Sequence, residues 1–177
     1  MEKNIVDNPD ARKLQRIPIP VLGGCAVFFG ILLGIGFTSA HCDCTSLLIT
    51  ITAMTIMLYT GTMDDILDLS PRLRFVIEII VVALLVMANS QSINNFYGLW
   101  GLDVIPQWFA IPLTIFAAVG IINAINLIDG VDGLSSGYGV MASVVFAILF
   151  LLAGDISMMT LAIVTAGSLI PFFFHNV

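Results

Sequence analysis

The sequence predicts an all-α polytopic membrane protein with about six transmembrane helices. Apolar residues make up 59% of the 177 residues and charged residues only 10%. A soluble domain carries about 25% charged residues, so a chain with so few must present most of its surface to a lipid bilayer. The net charge of −6 argues against a nucleic-acid partner, because nucleic acids select basic surfaces.

Long apolar stretches are the second observation behind this fold class. A span needs about 17–25 residues, so the shorter stretches must borrow from their flanks. No internal repeat or linker interrupts them, and residues 1–177 are predicted to be a single membrane domain. Within the first stretch, Gly30 and Gly34 form a small-xxx-small pair that predicts close helix packing. The six stretches run roughly from Val21 to Ala40, Leu47 to Met63, Leu73 to Ala88, Ile105 to Ile122, Val140 to Ala153 and Ile156 to Phe174.

The basic residues orient the chain. If the spans alternate, one side holds the Met1–Pro20 segment, the Asp64–Arg72 loop, the Asn123–Gly139 loop and the tail after Phe174. The loops on the other side carry no Lys or Arg, so the positive-inside rule predicts that the shared side is cytoplasmic. The basic residues are Lys3, Arg12, Lys13, Arg16, Arg72 and Arg74, and the acids brought to the same side are Asp64, Asp65, Asp68, Asp129 and Asp132.

The long loop predicted on the outer side is rich in aromatic residues. Phe96, Tyr97, Trp100 and Trp108 are amphipathic rings at the depth of a membrane interface, which predicts an aromatic belt. The segment Tyr97–Gly101 could form a small hairpin on this face.

The motif that runs from Asn123 to Leu134 carries two carboxylates, two carboxamides and two glycines directly after an apolar run. Charge at the end of a membrane-length segment is expensive and indicates function. The glycines that follow Asp129 and Asp132 let the backbone approach a ligand closely. Carboxylate and carboxamide oxygens suit a hard cation such as Mg²⁺. The motif therefore predicts a metal and phosphate site at a membrane surface.

A second acidic cluster consists of Asp64, Asp65 and Asp68. Adjacent carboxylates repel each other unless a cation or solvent separates them. The structural alternative is a hydrated helix end, with Ser70 and Pro71 starting the next helix.

Two further groups carry charge. Glu78 lies four residues after Arg74, which predicts an i,i+4 ion pair that neutralises the arginine rather than a catalytic role. In the first segment, Arg12 and Lys13 could bind anionic lipid head groups, the interpretation favoured from that stretch alone, or clamp a pyrophosphate. Together, the Asn123–Leu134 motif, the acidic cluster and the nearby basic residues favour phosphoryl transfer from a soluble phosphorylated donor to a membrane-embedded acceptor, assisted by Mg²⁺.

These motifs resemble those of the polyprenyl-phosphate N-acetylhexosamine-1-phosphate transferases. The resemblance rests on the Asn123–Leu134 motif, on Asp64-Asp65 followed by Asp68-Leu-Ser, and on Asp7-x-Pro-x-x-Arg12-Lys13 with the later Gly23-Gly24. The more similar branch is that of the undecaprenyl-phosphate N-acetylglucosamine-1-phosphate transferases of cell-envelope polysaccharide synthesis, because the peptidoglycan muramoyl-pentapeptide branch fits the first motif less well.

The resemblance implies a reaction and a set of partners. A UDP-N-acetylhexosamine donates its sugar 1-phosphate to undecaprenyl phosphate, UMP leaves, and Mg²⁺ is the cofactor, with Mn²⁺ as the alternative ion. It also implies a multi-pass protein of the bacterial inner membrane, with its active face in the cytoplasm and a homodimer as a plausible state. By motif position, Asp64 and Asp65 would sit at the acceptor phosphate and the metal, Asn126, Asp129, Gly130 and Asp132 would line the nucleotide-sugar pocket, and Arg12 and Lys13 would hold phosphate charge.

Departures from the family pattern leave alternatives open. Gln15 stands where His is usual, and Arg74 where Lys is common. Family members are about twice as long and carry a further metal-binding Asp in a Gly-Asp-x-Gly-Ser type motif that does not appear here. We therefore expect an incomplete portion of a larger transferase domain. The alternatives are a non-catalytic remnant and a cation-coupled transporter, which would place its acids near the bilayer midplane.

Overall fold

The computed structural model describes residues 6–7, 19–20, 23–38, 44–67, 69–128 and 133–175. Six α-helices lie within these ranges, which confirms the predicted all-α class. They are α1 (Gly23–Thr38), α2 (Cys44–Leu67), α3 (Pro71–Asn89), α4 (Gln107–Ile128), α5 (Leu134–Ala153) and α6 (Ile156–His175). Two two-residue strands, β1 (Val6–Asp7) and β2 (Ile19–Pro20), pair in antiparallel fashion, with Val6 opposite Pro20.

Each helix overlaps one of the six predicted apolar stretches. Four of them, α2, α4, α5 and α6, are long and apolar enough to cross a membrane. Helix α1 has 16 residues, and α3 has 19 residues that include Arg72, Arg74 and Glu78. The architecture fits a polytopic membrane protein, whereas the number of spans and the sides of the loops stay predictions.

The helices extend beyond the apolar stretches at the positions of two predicted loops. Helix α2 continues to Leu67, so Asp64 and Asp65 are helical, and α4 continues to Ile128, so Asn123 and Asn126 are helical as well. Helix α5 already begins at Leu134. The loop boundaries predicted at Asp64 and Asn123 were therefore wrong. Hydropathy marks where a chain leaves the apolar region, whereas backbone hydrogen bonding can continue past that point.

The contacts divide the chain into two compact units. The terminal unit contains Met1–Leu48 and Ile125–Val177, and the central unit contains Ile49–Ala124. The prediction of a single membrane domain stays a prediction.

The terminal unit is packed through small residues. Helix α1 lies against α6, and α6 lies against α5. A Cβ at Gly30 would come within 2.8 Å of the Ser168 hydroxyl, and a Cβ at Gly34 would overlap both methyl groups of Val164. The predicted close packing at this glycine pair is thereby confirmed.

A two-residue connection joins α5 to α6. Gly154 adopts a left-handed φ of 76°, a conformation that only glycine adopts without steric cost. The amide of the next residue, Asp155, donates to the carbonyl of Phe150 at 2.9 Å, which closes the end of α5. The Asp155 carboxylate then accepts the amide of Met158 at 3.0 Å and caps the start of α6.

The central unit is built around an apolar contact between α3 and α4. Val82 and Val86 of α3 pack with Val119 of α4, and Ile79 and Ile122 flank this cluster. Because Ile79 follows Glu78 and Ile122 precedes Asn123, the packing fixes the backbone at both polar residues.

A hairpin connects the far ends of α3 and α4. Asn95 and Val104 form an antiparallel bridge, and the amide of Phe96 donates to the carbonyl of Asp103 at 2.8 Å. The hairpin predicted for the aromatic loop is confirmed. The rings of Tyr97 and Trp100 are exposed, as a membrane-interface belt requires.

Candidate active site

The acid pair lies in the last turn of α2. Asp64 is half-buried and Asp65 is exposed, and α2 ends three residues after Asp64, at Leu67. Successive residues of an α-helix point about 100° apart, so the two carboxylates face different directions from one helix end. This position differs from the middle of a span, where the transporter alternative would have its acids.

Helix α3 begins directly after the acid pair. Ser70 caps it by accepting the amide of Leu73 at 3.4 Å, and Pro71 occupies the first helical position, where a missing N–H costs nothing. The helix start predicted at Ser70 and Pro71 is confirmed. Arg74 therefore lies one turn into α3.

Arg74 contacts two carboxylates from two helices. Its Nη1 donates to Oδ2 of Asp64 at 3.0 Å, and its Nε lies 3.4 Å from Oε1 of Glu78. The predicted i,i+4 pair with Glu78 is confirmed. The bond to Asp64 was not predicted, because ten residues and a helix boundary separate the two side chains.

Glu78 is the most deeply buried charged side chain in the described part of the chain. Its side chain is 3% exposed, while those of Asp64 and Arg74 are 25% and 28% exposed. A buried carboxylate is tolerated only when its oxygens are paired. The second oxygen, Oε2, accepts Nδ2 of Asn123 at 2.5 Å, and the same Nδ2 also donates to the carbonyl of Val119 at 2.9 Å.

These contacts form a network that crosses three helices, Asp64 in α2, Arg74 and Glu78 in α3, and Asn123 in α4. All four residues belong to the central unit. Asn123 is the first residue of the Asn123–Leu134 motif, which we call the Asn/Asp motif, and the network joins this residue to Asp64 of the acid pair. We call it the polar network below.

Comparison with known proteins assigns the chain to a family. Residues 47–177 match the family model described as glycosyl transferase family 4. The chain belongs to glycosyl transferase family 4. The matched residues cover α2 to α6 almost completely and include every residue of the polar network. The resemblance stated from the three motifs is confirmed.

Several curated members of the family are similar over nearly the whole chain. A probable undecaprenyl-phosphate N-acetylglucosaminyl 1-phosphate transferase of Bacillus subtilis (strain 168) is 33% identical over 97% of this chain and 48% of its own length. Undecaprenyl-phosphate alpha-N-acetylglucosaminyl 1-phosphate transferases of Salmonella typhi and Yersinia pestis are 30% and 28% identical, over 97% of this chain and 47% of their lengths. The chain thus spans about half the length of these relatives. No solved structure matches it.

The described residues of this family 4 chain fit part of a magnesium site. Mg²⁺ is commonly held by one or two carboxylates together with substrate phosphates, and Asp64 and Asp65 supply two carboxylates at one helix end. No group of three or more His, Cys, Asp or Glu side chains comes together among the residues that the structure describes. Among the described residues, Asp64 and Asp65 therefore supply carboxylates of the kind that such a site uses.

Of the other predicted site residues, the structure describes only Asn126. Asn126 lies in the last turn of α4, is exposed, and belongs to the terminal unit. The remaining predictions lie outside the described residues, and they concern Arg12, Lys13, Asp68, Asp129, Gly130 and Asp132.

Three residues of the polar network, Arg74, Glu78 and Asn123, were not among the predicted site residues. Asn123 opens the motif, but the resemblance assigned the binding role to Asn126 and the residues after it. Glu78 was interpreted as a partner of Arg74 alone. A carboxylate within an apolar run was the available signal, because such a charge needs more than one partner when it is buried.

Proposed function

We propose that the protein transfers N-acetylglucosamine 1-phosphate from UDP-N-acetylglucosamine to undecaprenyl phosphate and releases UMP. Family membership supports this reaction class, and the names of the similar curated proteins support the acceptor and the transferred group. In this reaction an oxygen of the acceptor phosphate attacks the phosphorus that carries the sugar. The bond from that phosphorus to the bridging oxygen breaks, and UMP leaves with the electron pair.

The polar network is the observation that carries the proposal for this chain. It holds the acid pair and the start of the Asn/Asp motif together within one compact unit. A reaction between a lipid phosphate and a nucleotide sugar needs both substrates at one place, and positioning supplies much of the rate of phosphoryl transfer.

The residues have distinct proposed roles. Asp64 and Asp65 would bind the acceptor phosphate and the cation, and one of them would act as base on the acceptor. When bound, Mg²⁺, or Mn²⁺ in its place, would neutralise phosphate charge during transfer. Arg74 compensates part of the charge of Asp64 through its 3.0 Å bond. The nucleotide-sugar pocket is assigned to Asn126, Asp129, Gly130 and Asp132, and phosphate binding to Arg12 and Lys13.

The proposed location is the inner membrane of a bacterium, with the acid pair at the cytoplasmic face. The basic residues support this side. If successive helices cross the membrane in alternate directions, all Lys and Arg residues lie on the same side of the membrane as the acid pair, and basic residues are enriched on the cytoplasmic side. The exposed aromatic hairpin between α3 and α4 would then lie at the outer interface, where Tyr and Trp are enriched.

A UMP-release assay tests the proposed function. Membranes that contain the 177-residue chain, or the full product of the same reading frame, receive UDP-N-acetylglucosamine and undecaprenyl phosphate with Mg²⁺ or EDTA. We expect UMP only when the lipid phosphate and Mg²⁺ are both present. Asp65→Asn should lower turnover by more than about 100-fold, because its charge acts on metal and phosphate.

The controls separate chemistry from folding. Asp103→Asn removes a carboxylate from the exposed hairpin and should leave UMP release unchanged. The proposed function is wrong if neither the 177-residue chain nor the full product of the same reading frame releases UMP in a lipid-dependent way. It is also wrong if UMP forms equally well without undecaprenyl phosphate.

A further inference from the structure

Glu78 has more contacts than neutralising one arginine requires. It is buried one turn beyond Arg74 on α3, and each of its carboxylate oxygens has its own partner. Oε1 faces Nε of Arg74 at 3.4 Å, and Oε2 accepts the amide of Asn123 at 2.5 Å. The carboxylate is therefore held at both oxygens by groups from two helices and cannot rotate without losing a contact.

Arg74 is shared between Glu78 and Asp64. Its Nη1 bonds to Asp64, and its Nε faces Glu78. One guanidinium carries one positive charge, so it cannot compensate two carboxylates. The three side chains together keep one net negative charge, and this charge lies at the helix end where Asp65 adds another carboxylate.

We propose that Glu78 is a positioning residue that keeps Asp64 available to a divalent cation by drawing part of the Arg74 charge away from it. The inference rests on the proposed function, since it assigns the cation to the acid pair. If Glu78 lost its charge, Arg74 would compensate Asp64 alone, and the acid pair would attract a cation less strongly.

The surrounding structure holds the Glu78 carboxylate beside Arg74, so Arg74 stays shared between Glu78 and Asp64. Asn123 holds Oε2 and is itself bound to the carbonyl of Val119, so Glu78 cannot turn toward solvent. Ile79 and Ile122, the neighbours of Glu78 and Asn123, pack against the apolar cluster of α3 and α4. A low-dielectric setting of this kind strengthens the influence of one buried charge on its neighbours.

Binding of Mn²⁺ to the full chain in lipid nanodiscs tests the inference without any turnover. Electron paramagnetic resonance measures free Mn²⁺ as the ion is titrated into the unsubstituted chain, Glu78→Gln and the double variant Arg74→Gln/Glu78→Gln. We expect Glu78→Gln to raise the Kd for Mn²⁺ about tenfold, as the loss of one nearby charge from a divalent-ion site would. The double variant removes both charges, restores the net charge of the group, and should return the Kd to within about threefold of the original.

The double variant distinguishes charge sharing from a structural role. Removing a second partner cannot repair a network whose bonds alone matter, so rescue is the readout that a structural residue would not give. Asp103→Asn is the matched control, because it removes one negative charge from the exposed hairpin of the same unit and should leave the Kd unchanged. The double variant removes the one charged side chain that is almost fully buried in the described part of the chain, so it carries the test if Glu78→Gln does not fold.

Three results would overturn the inference. They are an unsubstituted chain that does not bind Mn²⁺, a Kd in Glu78→Gln within twofold of the original, and a double variant that binds at least tenfold more weakly than the original. The UMP assay separates these results from failure of the proposed function. A chain that releases UMP while its Kd ignores Glu78 keeps the function and loses the inference, whereas the expected Kd pattern without UMP release does the reverse.

Discussion

The two units of this chain hold apolar helices together by different means. In the terminal unit, α1 approaches α6 where glycine replaces a side chain, at Gly30 and Gly34. In the central unit, α2, α3 and α4 are joined by the polar network that runs from Asp64 to Asn123. Lipid offers no hydrophobic driving force between helices, so both close van der Waals contact and internal hydrogen bonds are available solutions.

The difference shows where chemistry can be placed. A helix contact at glycine is apolar, and it stabilises the unit only through van der Waals contact between closely fitting surfaces. A buried ion pair is weak evidence for stability, because desolvation offsets much of its attraction. In the central unit this desolvation cost arises at a helix end, beside the exposed carboxylate of Asp65. Charge kept at such a position despite its cost indicates a ligand-binding role.

Breaking the central unit at Asn123 should have the largest effect on stability. Asn123→Ala removes the donor to Oε2 of Glu78 and leaves part of a buried carboxylate unpaired, so we expect a loss of about 3 kcal/mol of unfolding free energy. Reversible SDS titration of the purified chain measures this value.

Asn89→Ala is the matched control for that substitution. Asn89 also donates to the carbonyl four residues earlier, at 3.2 Å to Leu85, and no carboxylate accepts from it in the contacts described. A loss at Asn123 no greater than the loss at Asn89 would mean that the bond to Glu78 contributes nothing to the central unit.

The terminal unit should respond to volume instead of charge. Gly34→Ala places a methyl group against Val164, whose branched side chain has little freedom to move away in a helix, and we expect a loss of about 2 kcal/mol. Gly36→Ala on the same helix meets nothing within 4 Å and should be neutral or slightly stabilising. The same SDS titration compares the two variants, and equal stabilities would show that α1 does not depend on this contact.

The sequence predicted the terminal packing more fully than the polar network. The pair Gly30 and Gly34 lies four residues apart on one helix, so its meaning could be derived from local spacing. The six helices were predictable for the same reason, because an apolar run of span length is a local property.

The polar network could be predicted only in its local part. The pair Arg74 and Glu78 follows from i,i+4 spacing. The bond from Asn123 to Glu78 joins residues 45 positions apart, and no periodic pattern encodes which residues of two packed helices face each other. The resemblance located the motif but assigned its binding role to later residues such as Asn126.

Helix ends were the other feature that the sequence did not determine. Asp64 and Asn123 marked the ends of the apolar runs, and both lie inside helices that continue for another turn. That extra turn has a consequence for the site, because a residue in a helix has a fixed direction. Asn123 can thus bond to Val119 and Glu78 at the same time.

The far end of the central unit offers the smallest test of the comparison. Thr114 donates to the carbonyl of Ala110 at 2.7 Å and accepts the amide of Ile93 at 2.8 Å, which ties the hairpin to α4. Thr114→Val keeps the shape and removes that acceptor, and we expect a loss of about 1 kcal/mol. Thr55→Val is the control, because the Thr55 hydroxyl donates to the carbonyl of Ile51 in the same way, with no loop amide bound to it in the contacts described.

Hydrogen exchange at the Ile93 amide gives the direct readout. Exchange about fivefold faster in Thr114→Val, with UMP release unchanged, would show that the hairpin end is held separately from the charged end. A parallel loss of UMP release would instead show that α4 transmits changes along its whole length, and the polar network would then depend on both ends of the unit.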